Sequence, residues 1–238
     1  MPQQVDVRVS PSLHPETFSG LDGYNSETVK FVADALSAFN DAYVTIGKIH
    51  DARAFANRNP TWTDEQRTLI VGKEATKQQD RLCNKFDAAR ANIEKGAQHI
   101  EGELSRPLKE RAGLGNLNQE VRGHVKALNP TDRTALLNDA FQTNDVDTLQ
   151  AVLGAQPFLS GLSAPEHAHY LRRFHEGQNP QLVDRLTLMR SALTKIERDA
   201  PLLFREVEKA VGAPPAIVNG IDAANEAALA ALKIEPAA

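Results

Sequence analysis

The chain has 238 residues with 27 basic and 31 acidic side chains, for a formal net charge of −4. This balance excludes a global attraction to nucleic acid or to an anionic membrane surface. Cys83 is the single cysteine, which excludes an intramolecular disulfide and the sulfur ligands of a structural zinc site. Apolar residues make up 41% of the chain and aromatic residues 5%, so mainly aliphatic side chains must fill the interior.

The N-terminal residues lack the basic region and the apolar run of a signal peptide. Nowhere does the sequence contain the uninterrupted apolar stretch of about 18 residues that a membrane-spanning helix needs. From these observations we expect a soluble protein that is not secreted, has no transmembrane segment and resides in the cytoplasm.

Residues 1–25 differ in pattern from the rest of the chain. Val5, Val7 and Val9 alternate with Asp6 and Arg8, and this alternation has the period of a β-strand. Pro11 and Pro15 then interrupt the chain. We predict an extended N-terminal arm that is either loose, as chain termini often are, or pairs as a strand with a neighbouring subunit. In the second case the three valines are candidate interaction residues.

Residues 26–107 predict a long antiparallel helical hairpin. Apolar residues follow a three-then-four spacing from Val29 to Ile46 and again from Ala75 to Leu104, which is typical of amphipathic helices. Such stripes pack against other helices, within one chain or between chains.

The two predicted helices differ in length. The first should begin after Asn25 or Ser26 and end near Asn57, and the second should run from a cap at Thr61 or Thr63 to about residue 105. At 1.5 Å per residue the second helix is about 15 Å longer, so part of its apolar stripe needs a cover. Either the C-terminal half or another subunit could supply that cover, and we favour another subunit.

Residues 108–213 predict a subdomain of short helices that ends in a third long helix. The short helices should span about 117–128, 130–142, 145–153 and 164–177, with turn residues between them. The third long helix should run from Pro180 to Val211 with a kink at Pro201, or else Asp199 caps a new helix there. Residues 214–238 form an Ala-rich tail with a short terminal helix. The predicted fold class is therefore all-α.

A loop over residues 155–162 separates two of the short helices and carries large apolar side chains, among them Phe158 and Leu159. A loop of this composition packs on the core or docks a partner. Both residues are candidate interaction residues for that reason.

Basic side chains form a strip on the second predicted helix. At about 100° per residue they lie roughly opposite the apolar stripe: Lys73, Lys77, Arg81 and Lys85. The pattern is typical of a solvated face with intrahelical ion pairs. The alternative is a docking strip for an acidic partner or a phosphate backbone, although the scarcity of aromatic residues argues against base stacking.

The densest polar cluster covers residues 166–176. Glu166 and His169 have the spacing of one half of a di-iron site, but the sequence holds no second Glu-x-x-His motif. Glu166 also completes a capping box with Ser163. We predict no catalytic, cofactor-binding or metal-binding residues and no enzymatic activity. The alternative is an enzyme or a metal- or ligand-binding protein with its site near this cluster.

Two short segments, DTLQAVLG at 147–154 and SGLS at 160–163, resemble stretches in uncharacterised helical proteins of tailed-phage and prophage structural gene clusters. The resemblance implies a bacteriophage virion or assembly component, located in the cytoplasm or the virion. We predict a non-enzymatic structural or assembly protein that forms helix–helix and arm-mediated contacts with itself or with other assembly proteins. Nucleic acid bound by the basic strip is a weaker alternative, and we expect no cofactor and no membrane partner.

Overall fold

The computed structural model describes residues 5–108 and 115–233. These residues form α-helices and short 3-10 turns and contain no β-strand, which confirms the all-α class. The α-helices are α1 (Ala33–Asn57), α2 (Asp64–Leu104), α3 (Gly115–Ala127), α4 (Pro130–Gln142), α5 (Val146–Leu153), α6 (Ala164–Gln178), α7 (Pro180–Asp199), α8 (Leu202–Val211) and α9 (Pro215–Ala231).

The chain divides into two compact units. The first unit comprises Met1–Lys95 and Thr187–Ala238, and the second comprises Gly96–Leu186. Helices α2 and α7 contribute residues to both units, whereas each of the other helices lies in one of them.

In the first unit, α1 and the beginning of α2 form the predicted antiparallel hairpin. The ring of Phe39 packs edge-on against that of Phe86, with 5.1 Å between the centroids. Earlier on α1, Asp34 accepts a hydrogen bond of 2.9 Å from the side-chain amide of Asn92, which lies later on α2. Because the contacts advance along α2 as they retreat along α1, the two helices run in opposite directions.

The apolar stripe of α2 is buried in the single chain along its whole length. Its members are each at most 6% exposed: Ala75, Leu82, Phe86, Ala89, Ile93, Ala97, Ile100 and Leu104. The expectation that another subunit covers the overhang is therefore wrong. The spacing of apolar residues shows which face of a helix must be covered but carries no information on which part of the chain covers it.

The N-terminal segment, residues 5–25, is folded within the first unit, so the prediction of an extended arm is wrong for these residues. Residues 1–4 of the predicted arm lie outside the described residues. The prolines of the segment open two 3-10 turns, Pro11–Leu13 and Pro15–Gly20. The side chains of Leu13 and Phe18 are fully buried. The Phe18 ring contacts that of Phe39 edge-on, at 5.1 Å between centroids. This segment is part of the core.

Helix α1 begins later than expected. Residues Val29–Val32 form a 3-10 turn, and the α-helix starts at Ala33. Asn25 does accept hydrogen bonds from backbone amides, those of Glu27 and Thr28, but it thereby stabilises the preceding turn.

The third long helix breaks at Pro201 into α7 and α8. Proline lacks the amide hydrogen that would continue the helical ladder, and its ring collides with the preceding turn. Asp199 does not cap α8, because its carboxylate binds Lys195 and Arg198. Within α8, Leu203 and Val207 are buried, whereas Phe204 is 54% exposed.

The short helices of the second unit follow the expected bounds closely, and α4 spans the predicted residues 130–142. Their apolar faces share one core, built from Val125, Leu137, Ala140, Leu149, Val152, Leu153, Leu162, Tyr170, Leu171 and Phe174. Arg133 ties the loop after α5 to this core. Its guanidinium donates to the carbonyls of Gly161 and, at 2.9 Å, of Leu128.

Candidate interaction surfaces

The three N-terminal valines do not form an exposed strand edge. Val9 is 2% exposed and contributes to the core, whereas Val5 and Val7 are exposed within a turn. Tyr43 secures this turn, because its hydroxyl accepts a hydrogen bond of 2.6 Å from the Asp6 amide and donates one of 3.1 Å to the Asp6 carbonyl. These contacts hold Asp6 at the start of a turn, whereas β-pairing would require an extended strand.

Arg8 adds an ion-pair network to the same turn. Its guanidinium contacts the carboxylates of Asp6 and Asp51, each at 2.7 Å. The hydrogen bonds from Arg8 lower the pKa of Asp6 from its ordinary value of 3.8 to about 2. The network thus keeps Asp6 ionised down to strongly acidic pH.

Two further polar contacts join the N-terminal segment to α8. The amide of Ser10 donates to a carboxylate oxygen of Glu206 at 3.1 Å, and Lys209 Nζ donates to the Arg8 carbonyl at 2.8 Å. Glu206 is 4% exposed, and Lys209 Nζ also lies 3.6 Å from its carboxylate, so protein groups rather than water surround this side chain. Specific polar contacts as well as apolar burial therefore hold the N-terminal segment in place.

The basic strip of α2 is largely neutralised by carboxylates of the same chain. Lys73 pairs with Asp222 of α9. Arg81 and Lys85 both reach Asp41 of α1, at 3.7 Å and 2.6 Å. Lys85 also donates to the hydroxyl of Ser37 at 2.7 Å, so it ties the two helices of the hairpin together.

Lys77 differs from the other three residues of the strip, because the carboxylate that it contacts lies on α2 itself. Its ammonium lies 3.7 Å from Glu74, and its side chain is 75% exposed. A phosphate backbone would have to compete with these carboxylates for nearly every charge of the strip. The ion pairs predicted within α2 are mostly made with α1 and α9 instead, and because these charges are paired, the arrangement argues against a nucleic-acid surface.

The polar cluster at residues 166–176 is occupied by structural contacts. Glu166 and Ser163 form the predicted capping box, and these hydrogen bonds lower the pKa of Glu166. His167 Nε2 lies 3.0 Å from the Leu153 carbonyl, and His175 Nε2 lies 2.7 Å from the Arg106 carbonyl. No group of three or more His, Cys, Asp or Glu side chains in the described residues is arranged to hold a metal ion.

Cys83 is half-buried on α2. Burial raises the pKa of its thiol, and the nearby carboxylates of Asp87 and Asp80 add to that effect. Its side chain lines a groove with Phe86, Pro201 and other residues of the first unit. A thiol whose pKa is raised has little thiolate character at neutral pH and is a poor nucleophile.

The loop between α5 and α6 divides into a buried and an exposed part. Leu162 is buried in the core of the second unit, while Phe158 is 64% and Leu159 is 39% exposed. Phe158 and Leu159 lie in a 3-10 turn, Pro157–Ser160, that ends at Gly161 with a positive φ of 69°. The loop therefore both packs on the core and presents two apolar side chains to solvent.

The C-terminal helix α9 has an exposed half that sequence analysis did not single out. Its beginning packs on α2, where Val218 is 6% exposed and Gly72 leaves room for it. From Ala223 to Lys233 every residue is exposed. The signal was present as a further three-then-four spacing, here called the α9 ladder: Val218, Ile221, Asn225, Ala228 and Leu232.

Comparison with known proteins finds no matching protein family, no matching curated protein and no matching solved structure. None of the helices in the described part of the chain is long and apolar enough to cross a membrane.

Proposed function

We propose that this protein is a non-enzymatic assembly protein that acts through helix–helix contacts of α9, beginning with a second copy of itself. One observation carries the proposal: the second half of α9 is helical although every side chain from Ala223 to Lys233 is exposed. Most helical stability in proteins comes from packing of an amphipathic face, so packing of this half against another surface would stabilise it further.

The ladder of α9 supports pairing between two copies. Its five residues occupy core positions of a heptad. Four of them are apolar, and the fifth is Asn225. A buried asparagine at such a position selects a defined register at some cost in stability. The same ladder begins at Val218, which is already buried on α2, so the exposed half continues a packed face.

The exposed part of the ladder is short. About two to three helical turns bury less than the roughly 800 Å² per partner of a standard interface, so association should be weak and concentration-dependent. A virion or another assembly raises local concentration, and this setting fits the resemblance of residues 147–154 and 160–163 to proteins of phage structural gene clusters. In such a setting many weak contacts act together.

The decisive experiment compares two Ala→Asp variants of the same helix. Ala228 lies on the ladder, whereas Ala230 lies about 160° around the helix from it, and both are exposed. Sedimentation velocity from about 5 to about 500 µM should show wild-type association, its loss in Ala228→Asp, and its retention in Ala230→Asp.

The two variants add the same charge at nearly the same distance from the helix end, so helix destabilisation affects both alike. A wild-type chain that stays monomeric over the whole range contradicts the proposal. So does equal loss of association in the two variants, since that result would trace it to charge or to unfolding of α9.

A further inference from the structure

The second unit contains an open groove that the association of α9 does not involve. It has a volume of about 380 Å³ and lies between α3, α4 and the start of α5. Its apolar lining comes from Leu117, Val121, Val125, Leu136 and Ala140. Val121 and Leu136 are only partly buried, so part of the core of this unit is accessible from the groove.

The groove is bordered by carboxylates. Glu120, Asp139 and Asp145 belong to its lining, which includes no lysine or arginine. Asp145 caps α5 by accepting the amide of Thr148 at 3.1 Å, and hydrogen bonds from Thr148 lower the pKa of Asp145. Its negative charge is thereby retained at neutral pH.

Glu120 and Asp139 are exposed, and no cation of the described residues pairs with either side chain. Other carboxylates of the second unit do have partners: Glu176 binds Arg172 at 2.8 Å, and Asp132 accepts from the Asn129 side chain at 2.7 Å. The charges of Glu120 and Asp139 are thus not neutralised by the described residues, and both lie where apolar surface is also accessible.

We propose that this groove binds a basic amphipathic helix of a partner protein. Helices dock in apolar grooves through side chains three or four residues apart, and the apolar lining of this groove comes from two helices, α3 and α4. Lysine or arginine residues beside those anchors pair with Glu120, Asp139 and Asp145. The carboxylates lie on three different helices, so they suit a ligand that extends across the groove.

The test uses a fluorescein-labelled helical peptide of about 18 residues, with leucine at three-then-four spacing and lysine elsewhere, and a matched peptide with glutamate in place of lysine. Fluorescence anisotropy with the full chain should detect binding of the lysine peptide only. The double variant Glu120→Gln/Asp139→Asn should weaken this binding about three- to tenfold, since each exposed pair contributes modestly.

A second pair of substitutions is the control. Glu103→Gln/Asp184→Asn removes the same charge from exposed positions of the second unit outside the groove, and it should leave the affinity unchanged. An equal loss in both double variants, or equal binding of the glutamate peptide, overturns the proposal. These outcomes would indicate nonspecific attraction or nonspecific apolar capture.

Amide chemical shifts of the full chain locate the peptide independently of any variant. Titration with the lysine peptide should shift the signals of Ala140 and Thr148, which line the groove. Shifts confined to other parts of the chain also overturn the proposal. A peptide that shifts the α9 signals instead would be bound through the helix proposed to mediate self-association, so the two proposals fail separately.

Discussion

Lys195 carries a deeply buried positive charge. Its side chain is 2% exposed and its ammonium donates to Asp199 at 2.7 Å and to the Ser12 carbonyl at 3.1 Å. It also lies over the rings of Phe18 and Phe39, at 5.5 Å and 4.8 Å from their centroids. One charge therefore links α7 to the N-terminal segment and to α1.

The substitution Lys195→Met keeps most of the aliphatic volume and removes the charge. It leaves the Asp199 carboxylate, which is 4% exposed, without its closest cation, and it leaves the Ser12 carbonyl without this donor. Breaking a buried pair from one side costs about 3–5 kcal/mol. We expect about 3 kcal/mol, the lower end, because Arg198 still donates to Asp199 at 2.8 and 2.9 Å.

The assay is urea unfolding at pH 7, followed by the fluorescence of Trp62, the single tryptophan, which lies in the first unit. With a slope of about 3 kcal/mol/M, a loss of about 3 kcal/mol lowers the midpoint by about 1 M. Lys209→Met is the matched control, because Lys209 also binds a carbonyl of the N-terminal segment but is 55% exposed. That variant should lose less than about 1 kcal/mol.

The double variant Lys195→Met/Asp199→Leu tests whether the loss of stability in Lys195→Met comes from the unpaired Asp199 carboxylate. Replacing both members of a buried pair by apolar residues is often close to neutral, so the double variant should recover most of the stability lost in Lys195→Met. If Lys195→Met unfolds at the wild-type midpoint, or if the double variant is less stable than the single one, the reasoning is refuted.

Two further predictions concern Asp6 and Gly72. Because the pKa of Asp6 is lowered from 3.8 to about 2 in the folded chain, its contribution to stability is complete above pH 3.8 and is lost as the pH falls through 2. Urea midpoints between pH 5 and pH 2 should therefore fall more steeply in the wild type than in Asp6→Asn, and equal slopes would contradict this. A Cβ atom at Gly72 would lie 2.6 Å from a Val218 methyl, whereas one at Gly102 of the same helix meets nothing within 4 Å. Gly72→Ala should therefore destabilise the chain and expose α9 to protease, while Gly102→Ala should stabilise the chain by about 0.5–1 kcal/mol. If thermal unfolding shows that both variants change the stability in the same direction, the close approach of Val218 to Gly72 is refuted.

Local signals in the sequence were sufficient for most helix boundaries. Asn followed by Pro is a local helix start signal, and at the beginning of α4 the Asn129 side chain accepts the Asp132 amide at 2.9 Å, just before Pro130. The capping box of Ser163 and Glu166 likewise marked the start of α6. These contacts lie within one helical turn, so the residues that make them are neighbours in the sequence and their pattern is readable there.

Predictions that depended on distant contacts were less successful. The alternation of valines at residues 5–9 suggested a strand, but Ser10 and Arg8 are held by Glu206 and Lys209, about two hundred residues away. The basic strip suggested ion pairs within α2 or, as the alternative, a docking surface, but Asp41 and Asp222 reach it from two other helices. Neither partner is recognisable from local spacing.

The sequence alone determined that the chain is helical, where most helices begin and end, and which face of α2 must be buried, because these follow from backbone hydrogen bonds and side-chain periodicity over a few turns. Only the tertiary structure decided that the chain covers that face itself, that the N-terminal segment belongs to the core, and that the exposed ladder lies on α9. Burial depends on which segments meet in space, and two segments as distant as Ser12 and Lys195, 183 positions apart, carry no mark of their pairing in the sequence of either one.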